Sequence, residues 1–300
     1  VVSKLGLARG FLIQQLCGLA FQNPRQFMPR QLVRLAHSLA KLRYLSTVYA
    51  DSVVEELRPE LANLTTTQAS DLLFALTMSG MSQHLDFSRS LAAKCLDKKV
   101  VLSERPLMSL VDVVWSVCAL NLTSQFKARW KECLVEIFGR QTTHNRIPLV
   151  KLHEVICALD LQLGAMKVAV PAGWKAASID ANRYEMDRLE NSRLHKEIVD
   201  CFDTLRVMAS NKRQSFRMKQ NQECGPFRVD MLDEDTKVVL DVEILSWPVS
   251  RELKHPLLQG LGYRPVKVDY WEWRRLRNPT DQSRLLETEI CRVMGAQILP

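Results

Sequence analysis

Apolar residues recur at helical spacing through the first half of the chain. In the segment that begins at Pro29 they form a single stripe, made of Leu32, Leu35, Ala36, Leu39 and Leu42. Residues three and four positions apart lie on the same face of a helix. The pattern therefore predicts an amphipathic helix with its apolar side packed against neighbouring helices.

The same pattern of apolar residues recurs at regular intervals along the chain. Segments of this kind begin at Pro29, Thr66, Pro106 and Pro148. With Leu35, Leu72, Val113 and Leu152 taken as equivalent positions, the intervals are 37, 41 and 39 residues. A period near forty residues is typical of one helical hairpin. Further helices are predicted between these segments, at 47–57, 85–96 and 125–138.

These hairpins predict an α-helical repeat domain, a solenoid, over residues 1–163. Stacked hairpins bury one continuous core and often use the exposed concave surface or edge to bind an extended partner. Trp115, Cys118 and Cys157 lie inside apolar runs and are interpreted as core residues.

The helical period fades after residue 163. Residues 164–190 include Pro171 and Gly173 and are interpreted as a connector, with helical character returning at about Tyr184. Residues 191–300 are assigned to a second domain.

This second domain changes to a period of two. Two short runs rich in β-branched residues, 227–232 and 236–245, predict a strand hairpin. A helix ending at Gly260 or Gly262, a strand in RPVKVDY, the segment WEWRRL and a C-terminal helix follow. The order of these elements predicts a small α/β module.

The segment LLQGLGYRPVKVDYWEWRRL, residues 257–276, resembles the signature of the RAP domain. With the two strands before it, the resemblance covers about Arg193 to Leu276. The repeat endings LAKL, CALNL and CALDL resemble octotricopeptide-like and FAST-kinase-like helical repeats. Together these resemblances imply a restriction-endonuclease-like α/β module behind a helical solenoid, in a protein that acts on organellar RNA.

Charge points the same way. The chain has 41 lysines and arginines against 33 acidic residues, a net charge of +8, which favours polyanionic partners. Aromatic rings beside cations suit single-stranded RNA, because bases stack on rings and phosphates pair with cations. The candidate RNA-binding residues are Lys212, Arg213, Arg217, Lys219, Arg264, Lys267, Tyr270, Trp271, Arg274, Arg275 and Arg277. Trp273 is expected in the core, and Gly262 is expected to adopt a positive φ.

The resemblance also raises the question of nuclease activity. Active members of the restriction-endonuclease-like fold place two acids and a lysine around a divalent metal, and here the acids correspond to Asp230 and Asp241. The lysine position holds Glu243, and Ile244 replaces the glycine usual in the family. The three carboxylates have the chemistry to bind Mg²⁺, but paired acids equally hold Arg or Lys side chains of the next element. The interpretation is therefore a protein without an enzymatic site or cofactor.

We expect a non-catalytic RNA-binding protein of the mitochondrial matrix or, alternatively, of a plastid. Two roles stay open: a ribosome component or assembly factor that binds rRNA beside ribosomal proteins, and a factor for transcript stability or processing. The competing hypotheses are a metal-dependent RNA endonuclease and a protein-binding helical scaffold. No small-molecule substrate and no membrane span are expected, since no apolar run approaches about 18 residues. The chain begins at Val1, so a preceding segment with any targeting peptide is expected.

Overall fold

Paired helices build the first half of the chain and a small sheet with helices builds the end of it. The computed structural model describes residues 23–161, 168–190, 193–209, 218–242, 252–268, 270–276 and 278–295, with 13, 15, 17 and 18. These residues divide into two units. One runs to Asn182 and includes Glu252 and Leu253, and the other starts at Arg183 and comprises the remainder.

The helices of the first unit follow the predicted repeats closely. They are α1 Pro29–Lys41, α2 Thr47–Leu57, α3 Thr66–Met78, α4 Leu85–Cys95, α5 Leu107–Ala119, α6 Lys127–Gly139 and α7 Arg146–Leu161. Helix α1 packs on α3, α3 on α5 and α5 on α7, while α2, α4 and α6 pack on the helix before them. The described part of the first unit is thus helical, and its helix packing is compatible with the predicted repeats.

Local sequence sets where these helices begin. Pro29 occupies the first turn of α1, where its missing N–H costs no hydrogen bond. The Thr65 hydroxyl accepts a hydrogen bond from the Gln68 backbone N–H at 3.2 Å, and the Gln68 side chain accepts one from the Thr65 N–H at 2.7 Å. This reciprocal capping box satisfies two N–H groups that have no partner within α3.

Side-chain contacts support the predicted repeat register. Rings of His37 and Phe74 lie 5.7 Å apart, as do those of Phe74 and Trp115. The Trp115 indole N–H donates to Glu154 Oε2 at 2.8 Å. Each of these four residues lies two positions after an equivalent leucine or valine, so one interaction ladder crosses α1, α3, α5 and α7.

A second, buried set of contacts runs beside this ladder. Lys151 of α7 forms an ion pair with Asp112 of α5, and its Nζ lies 3.8 Å from the centroid of the Phe74 ring in α3. Burial lowers the pKa of Lys151, while the Asp112 carboxylate opposes that shift. Trp115, Cys118 and Cys157 are buried, as predicted.

The predicted connector is helical over most of its length. Helix α8, Ala172–Glu190, occupies residues in which irregular chain was expected until about Tyr184, and the division between the two units falls inside it. Trp174 explains part of this difference, because its ring packs against that of Phe138 at 6.0 Å and is buried. Tertiary packing therefore supports a helix whose own apolar pattern is weak.

Within the described residues, the second unit contains a mixed sheet of four strands in the order β1-β2-β3-β4. Strands and helices are α9 Arg193–Ala209, β1 Met218–Cys224, β2 Phe227–Asp233, β3 Val238–Val242, α10 Lys254–Gly260, β4 Arg264–Val268, α11 Tyr270–Arg275 and α12 Pro279–Met294. Strands β1, β2 and β3 pair antiparallel, and β3 pairs parallel with β4. Helix α12 packs against α9, β3 and β4.

Strand β1 was not predicted. Its sequence, MKQNQEC, is polar, and of its residues only Lys219 was singled out, as a candidate RNA-binding residue. All of its residues except Cys224 are half-buried or exposed, so neither face carries a row of apolar residues and its sequence signal is weak. Asn221 adopts φ +55° in the middle of it, between Gln220, which pairs with Met231, and Gln222, which pairs with Val229.

The predicted details of the module agree with its structure where they can be compared. The β2–β3 hairpin is present, Gly262 has φ +87°, and Trp273 is fully buried. None of the described helices has the length and apolar content needed to cross a membrane.

Candidate nucleic-acid interface

Asp230 lies at the centre of β2 and is fully buried. Its Oδ2 accepts a hydrogen bond from the Val242 backbone N–H at 2.5 Å, and its Oδ1 lies 3.2 Å from Nδ1 of His195 in α9. Both carboxylate oxygens therefore face groups of the module itself. Asp230 of β2 thus contacts both the end of β3 and helix α9.

Asp241 of β3 is equally buried and meets two side chains of α10. Lys254 Nζ lies 3.0 Å from Asp241 Oδ1 and donates to the Arg228 backbone carbonyl at 2.9 Å. His255 Nε2 lies 3.4 Å from Asp241 Oδ2. A lysine of the next element thus pairs with this acid.

Lys254 was missed by the sequence reasoning. The motif of the restriction-endonuclease-like fold, which the sequence resembles, directs attention to position 243, two residues after the second acid. Lys254 instead approaches Asp241 from a helix thirteen residues away. The sequence signal for it is a Lys-His pair at the start of a helix that follows an acid-bearing strand. Glu243 lies outside the described residues.

The described part of the arrangement contains an ion pair between Asp241 and Lys254. Among the described residues, no group of three or more His, Cys, Asp or Glu side chains is placed to hold a metal ion. Asp230, Asp241 and Lys254 are all at least nine-tenths buried. Burying a charge is costly unless it has a partner; here Asp241 is paired with Lys254, and Asp230 accepts the hydrogen bond of the Val242 N–H.

The predicted cations of the module fall into three groups. Lys212, Arg213, Arg217 and Arg277 lie outside the described residues, as do the side chains of Tyr270 and Trp271. Lys219 and Arg274 are engaged in ion pairs, with Glu234 at 2.6 Å and with Glu197 at 2.8 Å. Arg264 and Arg275 are exposed, and Lys267 is half-buried.

One further cation was not predicted. Lys237 immediately precedes β3, is exposed, and has a left-handed backbone with φ +60°. Its Nζ lies 5.9 Å from the centroid of the Tyr263 ring. Since Tyr263 directly precedes Arg264, the structure brings two cations and one ring together at the start of the parallel strands β3 and β4. The isolated lysine carries no motif in the sequence, so only the strand pairing reveals this group.

The first unit also exposes cations on one helix face. Arg30, Arg34 and Lys41 of α1 are exposed and are spaced by four and seven residues. That spacing places them along one side of the helix. The sequence reasoning named no RNA-binding candidate in this half of the chain.

The chain matches no protein-family model, and no curated protein matches it.

Proposed function

We propose that this chain is a non-catalytic RNA-binding protein of an organelle, in which helical repeats and a RAP-like module both contribute to binding of rRNA or transcripts. One observation carries the proposal. In the module, Asp230 and Asp241, the acids that a nuclease would need, are buried, and Asp241 is paired with Lys254, whereas Lys237, Arg264 and Arg275 are exposed and Lys237 lies beside the Tyr263 ring. Exposed cations beside a ring suit the phosphates and bases of a single strand.

Exposed cations of α1 support the same role for the helical unit. Arg30 and Arg34 are separated by one helical turn, about 6 Å along the axis. A row of cations at this separation suits successive phosphates of an extended strand. Electrostatic contacts of this kind give affinity with little dependence on base sequence.

The experiment is a titration of the purified chain with labelled single-stranded RNA at several salt concentrations, read by fluorescence anisotropy. Binding through phosphates is expected to weaken with salt, with a log–log slope of about 0.7 for each phosphate contacted. Crosslinking in the native organelle then assigns the RNA: rRNA sites indicate a ribosome component or assembly factor, and messenger sites indicate a maturation factor. Absence of RNA binding, with protein partners recovered instead, would contradict the proposal in favour of a scaffold.

A metal-dependent endonuclease is the second candidate, and the position of Lys254 favours it. The ammonium 3.0 Å from Asp241 supplies a cation that position 243 lacks. Incubating RNA with Mg²⁺ and either the wild-type chain or Asp230→Asn tests this function. We expect no Mg²⁺-dependent cleavage by either protein, and cleavage that is lost in Asp230→Asn would establish the nuclease.

A further inference from the structure

Two segments distant in the sequence meet at the start of the parallel strand pair. Lys237 precedes β3, and Tyr263 and Arg264 lead into β4. The Arg264 backbone N–H donates to the Lys237 carbonyl at 2.8 Å, and Val238 pairs with Arg264 in register. The backbone therefore holds these three residues next to one another, and the Lys237 ammonium lies 5.9 Å from the centroid of the Tyr263 ring.

The Tyr263 ring is fixed from one end. Its phenol is hydrogen bonded to the Cys224 thiol at the end of β1, and burial together with Cys224 raises the pKa of Tyr263. The side chain is only partly buried. A ring that is held in place at its hydroxyl and remains partly open to solvent is a preorganised stacking platform.

The turn between β1 and β2 lies close to the turn that precedes β4. The Leu261 side chain lies 2.9 Å from where a Cβ on Gly225 would lie, so the tip of the β1–β2 hairpin reaches the turn before β4. Gly225 and Gly262 both have positive φ. Leu261 is 37% exposed and adds an apolar surface beside the ring.

The charges around the ring are mostly positive. Lys237 and Arg264 are both exposed, and neither lies within ion-pair distance of a carboxylate in the described part of the chain. Asp235, two residues before Lys237, is the nearest acid in sequence, and Glu234 is already paired with Lys219. Lys237 also keeps a left-handed backbone that a residue with a side chain seldom adopts, a feature enriched at binding sites.

We propose that Lys237, Tyr263 and Arg264 form a subsite for one nucleotide of single-stranded RNA, with the base stacked on Tyr263 and the adjoining phosphates paired with the two cations. The inference rests on the RNA-binding function proposed above and assigns it a place in the fold. Aromatic rings accept any base, and a guanidinium offers two parallel N–H donors to phosphate, so this subsite binds strand without reading sequence.

The test measures affinity of the full chain for a labelled oligouridine. Tyr263→Leu is expected to weaken binding about tenfold, since stacking on one ring is lost. Tyr263→Phe keeps the ring but loses the hydroxyl bond to Cys224, so it is expected to bind more weakly than the wild type and more tightly than Tyr263→Leu. Lys237→Asn, which tolerates the left-handed backbone, and Arg264→Gln are each expected to lower the salt slope by about 0.7.

Arg292→Gln is the matched control, because it removes an exposed cation of the same unit whose guanidinium is already paired with Glu289 at 2.8 Å. It is expected to leave affinity and slope unchanged, and circular dichroism confirms folding of every variant. Wild-type affinity in Tyr263→Leu, or an equal loss in Arg292→Gln, would overturn the subsite while leaving RNA binding intact. A wild-type chain that binds no RNA would overturn both proposals.

Discussion

The helical unit and the C-terminal module each bury a lysine against an aspartate, but the pairs join different things. In the helical unit, Lys151 and Asp112 occupy equivalent faces of neighbouring repeats, and the Phe74 ring lies against the ammonium. In the module, Lys254 and Asp241 join a helix to a central strand, and a backbone carbonyl and a histidine complete their surroundings. A buried lysine–aspartate pair thus joins two repeats in the helical unit, and a helix and a strand in the module.

This difference bears on what each pair achieves. Apolar helices of similar sequence can pack in several registers, and a buried polar contact is satisfied in only one of them. We infer that the contacts of Lys151 and Trp115 select the repeat register. In the module, the pair neutralises Asp241, which otherwise resembles a metal ligand.

The largest expected loss of stability comes from removing the lysine of either pair. Lys254→Ala and Lys151→Ala each leave a buried carboxylate without its cation, and each is expected to lower the free energy of unfolding by about 3–5 kcal/mol. Urea denaturation measures the loss, and hydrogen exchange read by mass spectrometry locates it. Protection is expected to fall mainly in the unit that carries the substitution.

The matched controls replace both partners by apolar residues. Lys254→Met with Asp241→Leu, and Lys151→Met with Asp112→Leu, leave no unpaired charge, so each double variant is expected to be much more stable than its single lysine variant. Equal losses in single and double variants would show that packing, and not the unpaired charge, determines the cost.

Trp115→Phe sharpens the account of the helical unit. The smaller ring keeps most of the contact with Phe74 but leaves the buried Glu154 carboxylate without the indole N–H. A buried acceptor that loses its donor costs about 1–3 kcal/mol, and the expected loss in thermal or urea unfolding lies in that range. Trp130→Phe, which removes an indole bond to the Val114 carbonyl at 2.9 Å, is the comparison variant. A smaller loss is expected in Trp130→Phe, because the acceptor left without its donor is a neutral backbone carbonyl and not a carboxylate.

His37 gives the ladder a dependence on pH. Burial lowers the pKa of His37 to about 3, and Lys41 and Lys151 contribute in the same direction. Below its ordinary pKa of 6.5, the unfolded chain binds a proton that the folded chain does not, so stability is full above pH 6.5 and is lost as the pH falls toward 3. Between pH 6.5 and 5.5 the wild type is expected to lose about 1 kcal/mol more than His37→Gln. Parallel unfolding curves for the two proteins across this range would contradict the assignment.

The two units also differ in how far the sequence predicted them. Repeat helices were placed to within a few residues because a period near forty repeats the same burial pattern several times, and the contacts of His37, Phe74 and Trp115 agree with the alignment. The module lacks such redundancy. Its polar edge strand β1 was missed, because it carries no apolar alternation. The first part of α8, which belongs to the helical unit, was expected to be irregular, because its apolar pattern is weak and packing of Trp174 on Phe138 supports it.

The same reason separates the site residues that were predicted from those that were not. Asp230, Asp241 and Arg264 carry motif signals in their own strands. Lys254 and Lys237 can be recognised only from the structure, in which the helix of Lys254 lies beside β3 and strand β4 begins beside Lys237. Pairings between distant elements leave little trace in a single sequence, whereas local periodicity leaves a clear one.

The smallest expected effect concerns two neighbouring arginines of α11. Arg274 pairs with Glu197 at 2.8 Å on a partly exposed surface, whereas Arg275 is exposed and has no ion pair with any residue that the structure describes. Such a surface pair contributes at most about 1 kcal/mol, so Arg274→Gln is expected to change unfolding little. Because Glu197 already holds its charge, Arg274→Gln should also leave the salt slope of RNA binding almost unchanged, while Arg275→Gln lowers it by about 0.7. Equal slopes for the two variants would mean that neither arginine, or both, contacts phosphate, and would show that pairing within the protein does not decide which cations bind RNA.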